Sequence, residues 1–168
     1  MGEDVRNSVK IVLLNKNNDL LLLFTDDNAI KTTEGKYGGS FYQLVGGKIE
    51  EGETILEAAK RELFEETGLT SENVKFYKVI WYGNLDLNIH GKLTHINQQF
   101  ILARTSSDSV TLKNLTEEEK KTCKKLCWMS LDEIKNSEVT IYPKRLPMYL
   151  EDILNGKDSS EPILIDLS

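Results

Sequence analysis

The stretch "GGKIEEGETILEAAKRELFEETGL", from Gly46 to Leu69, constrains this chain more than any other. Thr54 and Glu57 have the T-x-x-E spacing of a capping box, which starts a helix at Ile55, and Gly68 supplies a left-handed stop. Wound at about 100° per residue, the helix gathers Ile55, Leu56, Ala59 and Leu63 on one apolar arc. Glu62, Glu65 and Glu66 fall on the adjoining arc, with Ala58 among them and Arg61 at the outer margin. Glu66 lies next to Ile55, at the rim of the apolar stripe. Like charges at i, i+4 repel by about 0.2–0.5 kcal/mol, and desolvation beside a buried face strengthens the repulsion. Such a helix needs compensation.

A divalent cation provides it. Mg²⁺ prefers oxygen ligands, takes one or two carboxylates, and completes its shell with water and phosphate. Carboxylates at i, i+3 and i+4 project from one helical face over one or two ions. Arg61 reaches Glu57 or Glu65 at i±4 and can hold a carboxylate in place. Gly46 and Gly47 let the backbone approach closely and offer a carbonyl to the same ion. A solvated acidic face would explain the three acids alone. It does not explain the glycines, Glu53, Arg61 and the two helix signals at fixed offsets.

Gly47, Glu53, Arg61, Glu62, Leu63, Glu65, Glu66, Gly68 and Leu69 fill every defined position of the Nudix box, G-x5-E-x7-R-E-U-x-E-E-x-G-U, where U is a bulky aliphatic residue. The chain therefore resembles a MutT-like Nudix hydrolase. The resemblance implies an α/β (α+β) fold, a mixed β-sheet sandwiched between α-helices. It also implies Mg²⁺- or Mn²⁺-dependent hydrolysis of the pyrophosphate bond in a nucleoside diphosphate linked to another moiety. A nucleoside triphosphate, an oxidised nucleotide and an ADP-ribose-like compound all fit that description. Carried over position by position, Glu62, Glu65 and Glu66 become metal ligands together with the Gly46 carbonyl. Glu62 is also a candidate general base, Glu53 and Arg61 orient the catalytic carboxylates, and Gly68 meets a turn requirement. One departure precedes the box, where many members read Pro-Gly-Gly and this chain reads Val45-Gly46-Gly47; valine there loosens the loop without removing a ligand.

Other candidates are weaker. Gln98, Gln99 and Tyr42 lie in strands that the resemblance places along the substrate cleft. Adjacent strand residues face opposite ways, so at most one of the two glutamines points into it. "TEEEKK" at Thr116–Lys121 occupies the region where some Nudix enzymes carry a further catalytic glutamate, which makes Glu117, Glu118 and Glu119 alternative bases. His90 and His95 flank a turn and do not have the spacing of a metal-ligand pair. Trp81, Tyr82 and Trp128 could stack on a base, but strand aromatics belong more often to the core. "GKYGGS" lacks the arrangement of a phosphate loop. "IYPKR" at Ile141–Arg145 carries Lys144 and Arg145 where oxidised-purine sanitising members carry two acids, which weakens that substrate.

Along the rest of the chain, "SVKIVLLNKNNDLLLLFT" predicts a hairpin on an Asn/Asp-rich turn, and Thr25 to Ser40 a loop. "FYQLV" predicts a strand running into the two glycines. "VKFYKVIWY", "LDLNI" and "LTHINQQFILA" predict strands, with a tight turn near His90–Gly91, and "CWMS" a last strand. Ser130 and Glu133 cap a short helix; "LPMYLEDILNG" is a further helix stopped by Gly156.

Bulk properties bound the function. The 168 residues fit a single domain, 1–168, and 39% hydrophobic with 29% charged residues excludes disorder. Lys and Arg number 21 against 27 Asp and Glu, a net charge of -6 that argues against duplex nucleic acid as partner. A small nucleotide-type substrate remains open. Cys123 and Cys127 are too few for a zinc site and read as structural thiols. No signal-peptide pattern or bilayer-length apolar run is seen, so the expectation is a cytoplasmic protein off the membrane. A monomer and a homodimer both fit. The alternative function is a nucleotide-sensing or RNA-binding Nudix module; the complete set of acids favours catalysis.

Overall fold

The computed structural model describes residues 4–27, 30–32, 39–89, 91–157 and 159–168. Four strands come first: β1 (Asp4–Leu14), β2 (Leu20–Asp27), β3 (Ile30–Thr32) and β4 (Gly39–Lys48). Helix α1 (Ile55–Thr67) leads into two long strands, β5 (Val74–Ile89) and β6 (Lys92–Thr105). The remainder is α2 (Glu117–Lys120), β7 (Cys123–Met129), α3 (Leu131–Lys135), α4 (Leu146–Leu154) and β8 (Ile163–Leu164). The strands form one mixed sheet in the order β3-β5-β6-β1-β4-β2-β7, with β8 beside β5. β1–β6 and β5–β8 are parallel and the other pairs antiparallel.

β1 is central, and its alternation divides the core. Val9, Ile11 and Leu13 pack with Ala58, Ala59 and Leu63 of α1, whereas Val12 and Leu14 pack with Leu146 and Leu150 of α4. Helices therefore cover both faces, as the sandwich expectation requires. Each such leucine contributes about 1.5–3 kcal/mol on burial. No described helix is long and apolar enough to cross a membrane.

Several sequence expectations change. The predicted hairpin exists only at its turn: Asn15 Oδ1 accepts the N–H groups of Asn17 and Asp19, and Leu14–Leu20 is the one β1–β2 register pair. Beyond it β4 enters and pairs with both strands. "IVLL" and "LLLL" are buried on both faces, so each must lie inside a sheet covered on both sides, which a lone hairpin does not supply. The predicted Thr25–Ser40 loop is shorter than expected. β2 continues to Asp27 because Thr25, Asp26 and Asp27 pair with Phe41, Ser40 and Gly39, and Ile30–Thr32 adds to the β5 edge. Residues 33–38, and with them most of "GKYGGS", lie outside the described residues, as does His90.

"VKFYKVIWY" and "LDLNI" are one strand. Gly83 sits within it opposite Gln98, because a Cβ there would meet Leu167 Cγ at 2.8 Å. "CWMS" is the end of a longer edge strand, and it is not the last, since β8 pairs with Trp81 and Tyr82. Val45 does not loosen its surroundings: it is fully buried and held opposite Ile11. Cys123 and Cys127 are free, half-buried thiols.

Two caps are as the sequence predicts: Thr54–Glu57 and Ser130–Glu133 form reciprocal capping boxes, and Gly68 closes α1 at φ 78° with its N–H on Phe64 O. Thr116–Glu119 adds a third box, outside the sequence expectations.

Candidate active site

Helix α1 is rotated relative to its predicted stripe. Leu56 is 40% exposed, while Glu62 and Glu66 are 7% and 4% exposed and lie on the buried face with Ala58, Ala59 and Leu63. Two acids thus sit inside the packing surface, where the sequence put them at its rim. The room comes from β4. Gly46, at φ 140°, would bring a Cβ within 2.1 Å of Val9 O, and a Cβ on Gly47 would lie 2.6 Å from Glu62 Oε1. Backbone excludes a side chain at Gly46, and the Glu62 carboxylate occupies the space that Gly47 leaves.

Glu66 goes deepest. Its Oε1 accepts the Gly46 N–H at 2.6 Å. Burial pushes its pKa above the ordinary carboxylate value, opposed by the Lys10 charge and by the Gly46 hydrogen bond. Lys10 responds in the opposite sense: burial lowers its pKa and the Glu66 charge raises it. Its ammonium donates to Gln43 Oε1 at 3.0 Å and Leu44 O at 3.3 Å.

Arg61 organises the outer acids. Nε and Nη2 grip both Glu53 oxygens at 2.7 and 2.9 Å, Nη2 also donates to Lys48 O at 2.9 Å, and Nη1 donates to Glu62 Oε1 at 2.9 Å. Glu65 lies 3.5 Å from the same Nη1. Glu57, the other expected partner of Arg61, caps the helix instead. The Arg61 hydrogen bonds and the Glu50 N–H hold the Glu53 carboxyl down at about 2. Glu62 is raised by burial, with Arg61 pulling the other way.

Among the described residues, Glu62, Glu65 and Glu119 each present a carboxylate oxygen, and the three lie within 4.8 Å of one another. Glu119 of α2 thus joins two of the three helical acids, with Glu66 buried further in. Glu117 and Glu118 are exposed and pair with Lys120 and Lys121. Glu119 Oε1 accepts the Thr116 N–H, so the capping box fixes the side chain that reaches across.

Glu62, Glu66 and Glu119 line a cleft of about 250 Å³ that also takes in Arg6, Ser8, Lys10, Phe41, Gln43, Lys48 and Gln98. A narrower continuation adds Leu85, Phe100, Tyr142, Pro143 and Leu167. Of the adjacent glutamines, Gln98 faces the cleft. Gln99 does not line it and carries a buried Oε1 without a hydrogen-bond partner. Tyr42 is not in the cleft either: it is packed in the core, edge-on to Phe24, while its neighbour Phe41 lines the wall. Trp81 is core, against Phe100 and Tyr149, and Trp128 is tied to Asp108 O. His95 contacts Asp86 on the opposite face of the β5–β6 ladder. Arg6, Ser8 and Lys10 stand outside the sequence expectations, although polar residues at i, i+2 and i+4 beside the buried "IVLL" run are the signal for a strand with one wet face.

A family model for the NUDIX domain matches residues 4–149. The 8-oxo-dGTP diphosphatase of Buchnera aphidicola subsp. Acyrthosiphon pisum is 40% identical over 50 residues, 30% of this chain and 40% of that protein. The match therefore spans less than half of the curated relative. Among solved structures, the MutT protein from Methanosarcina mazei Go1 superposes with a TM-score of 0.66 at 20% identity, over 95% of this chain and 99% of the other. A C. elegans Ap4A hydrolase gives 0.60 at 21% identity, over 90% and 98%. At these identities the two structures share the fold.

Proposed function

The chain belongs to the Nudix family, and on that premise we propose that it is a pyrophosphohydrolase acting on a nucleoside diphosphate that carries a further group. Nucleoside triphosphates, oxidised nucleotides and ADP-ribose-like compounds are the substrates to test, and the whole chain is taken as one catalytic domain. The observation that carries this reading is the convergence of Glu62, Glu65 and Glu119 to within 4.8 Å beside a cleft. Three carboxylates held that close repel one another, and a set of hard oxygen donors suits Mg²⁺ or Mn²⁺. In this reading Glu62, Glu65 and Glu119 hold the ion, with Glu66 and the Gly46 carbonyl beside them. When bound, such an ion stabilises charge on the phosphoryl oxygens and acidifies coordinated water.

The protein's own groups do the rest. Arg61, anchored on Glu53 and on Lys48 O, fixes the Glu62 carboxylate and limits its rotamers. Glu62 and Glu119 approach one point from two different elements, so either one, besides holding the ion, can take the proton from the attacking water. Gln98 and Phe41 border the space left for substrate.

The test is a screen of nucleoside triphosphates, oxidised nucleotides, ADP-ribose, nucleotide sugars and dinucleoside polyphosphates with Mg²⁺ or Mn²⁺, following released phosphate products. Turnover that stops in excess chelator is the expected result. Binding of these compounds without any turnover would instead make the chain a nucleotide-sensing module.

A further inference from the structure

Arg6 is out of keeping with its surroundings. Its Nε is buried and has no hydrogen-bond partner, and among the described residues its guanidinium makes no ion pair. A buried guanidinium N–H left unpaired is costly, because its water is gone and nothing replaces it. The side chain lines the carboxylate cleft together with Glu62, Glu66 and Glu119, and the Glu62 charge acts on it without a salt bridge forming. Glu62 is already engaged by Arg61. A cation is thus held at the acid cluster with donors to spare.

Arg6 does not stand alone. Lys10 lies four residues further on the same face of β1, about 13 Å along the strand, and Lys48 also lines the cleft. Three cations therefore face Glu62, Glu66 and Glu119 across this cleft, so each divalent ion bound there leaves an excess of positive charge. The balance suits a polyanion that enters with the ion. The geometry of the guanidinium narrows the choice. Its fork binds two oxygens of one group side by side, whereas an ammonium is a point charge. An internal phosphate has two non-bridging oxygens, and one that shares an oxygen with a metal keeps only one for the fork. A terminal phosphate has three and keeps two.

We propose that Arg6 is a specificity-determining residue that receives the terminal phosphate of the substrate, so that the cleft selects nucleotides ending in a free phosphate over diphosphates esterified at both ends. This rests on the pyrophosphohydrolase reading and names the substrate class within it. Nucleoside triphosphates fall on the favoured side; ADP-ribose and dinucleoside polyphosphates fall on the other.

The experiment compares the wild type with R6A and R6K in two measurements. In the first, kcat and KM are determined for a nucleoside triphosphate and for ADP-ribose with Mg²⁺. The selectivity ratio, triphosphate over ADP-ribose, should fall about tenfold or more in R6A, chiefly through KM, and R6K should recover only part of it. In the second, inorganic triphosphate with Mg²⁺ is titrated calorimetrically, and R6A should bind it about tenfold more weakly or worse. Melting temperatures accompany both; R6A should melt no lower than wild type, since the Nε it removes has no partner. An unchanged selectivity ratio, or equal triphosphate binding by R6A and wild type, overturns the assignment. A wild type that turns over nothing defeats the catalytic reading alone, because the calorimetric comparison still decides the role of Arg6.

Discussion

Arg61 and Glu53, eight residues apart, are joined by two parallel hydrogen bonds of 2.7 and 2.9 Å, and the same guanidinium donates to Glu62 at 2.9 Å. The loop before α1 is thereby tied to the carboxylate cluster through one planar group. No single contact within the helix could do this, because Glu53 precedes its first turn.

Replacing Arg61 should therefore damage catalysis more than folding. R61A is expected to lower kcat by about 10- to 100-fold, the range found when groups that orient metal ligands are lost. R61K should not restore it, since an ammonium cannot satisfy Glu53, Glu62 and Lys48 O together. Steady-state kinetics with Mg²⁺, alongside a melting curve, separates the two effects. Near-normal kcat in R61A would remove the orienting role.

The same pair makes stability depend on pH at the acid end. The Glu53 carboxyl is held at about 2 in the folded protein against an ordinary 4.5. A carboxyl with a depressed folded pKa contributes stability that is fully present above 4.5 and is lost as pH falls toward 2. The melting temperature of wild type should drop across that window by more than that of E53Q, which cannot titrate there. Parallel curves for the two proteins would contradict the assignment.

Glu119 should be separable from its neighbours in sequence. E119Q is expected to lower kcat by about 100-fold or more, within the range for loss of a catalytic proton acceptor, and to weaken Mn²⁺ binding measured by calorimetry. E117Q and E118Q remove only exposed pairs with Lys120 and Lys121, so activity should stay within about twofold and stability within about 0.5 kcal/mol. E62Q should resemble E119Q. Normal turnover by E62Q or E119Q would exclude that residue as ligand or base.

The adjacent glycines should fail in different ways. In G47A the new methyl meets the Glu62 carboxylate, the movable end of a side chain, so the protein should fold while kcat drops by about 100-fold for a displacement near 1 Å. In G46A the methyl meets Val9 O and the backbone is at φ 140°, so stability should fall by at least about 1–3 kcal/mol. Denaturant melts and kinetics on both variants give the comparison. A G46A protein as stable as wild type would show that β4 can shift away from β1.

Cys123 offers a check remote from turnover. Burial, reinforced by the Glu66 charge, pushes its thiol up to about 11. Its alkylation by iodoacetamide at pH 8 should be far slower than that of a free thiol, and should become rapid once the chain is unfolded. Fast labelling in the native state would mean that β7 opens more readily than its pairing with β2 suggests.

Local signals fixed a large part of this protein before any fold was known. Thr54, Glu57 and Gly68 set the limits of α1, Ser130 and Glu133 started α3, and the spacing of Glu53, Arg61 and the three helical acids singled out the candidate site, because capping and helical periodicity act over a few residues. Tertiary structure decided the rest. It rotated α1 so that Glu62 and Glu66 turn inward and Leu56 outward, inserted β4 between two strands that looked like a hairpin, and joined "VKFYKVIWY" to "LDLNI" across a glycine. It also chose Glu119 from three adjacent glutamates, faced Gln98 rather than Gln99 into the cleft, and placed Arg6 and Lys10 opposite the acids. Each of these depends on pairing and packing between segments distant along the chain, where a strand partner or a missing side chain determines which face is buried; such contacts have no local periodicity to announce them.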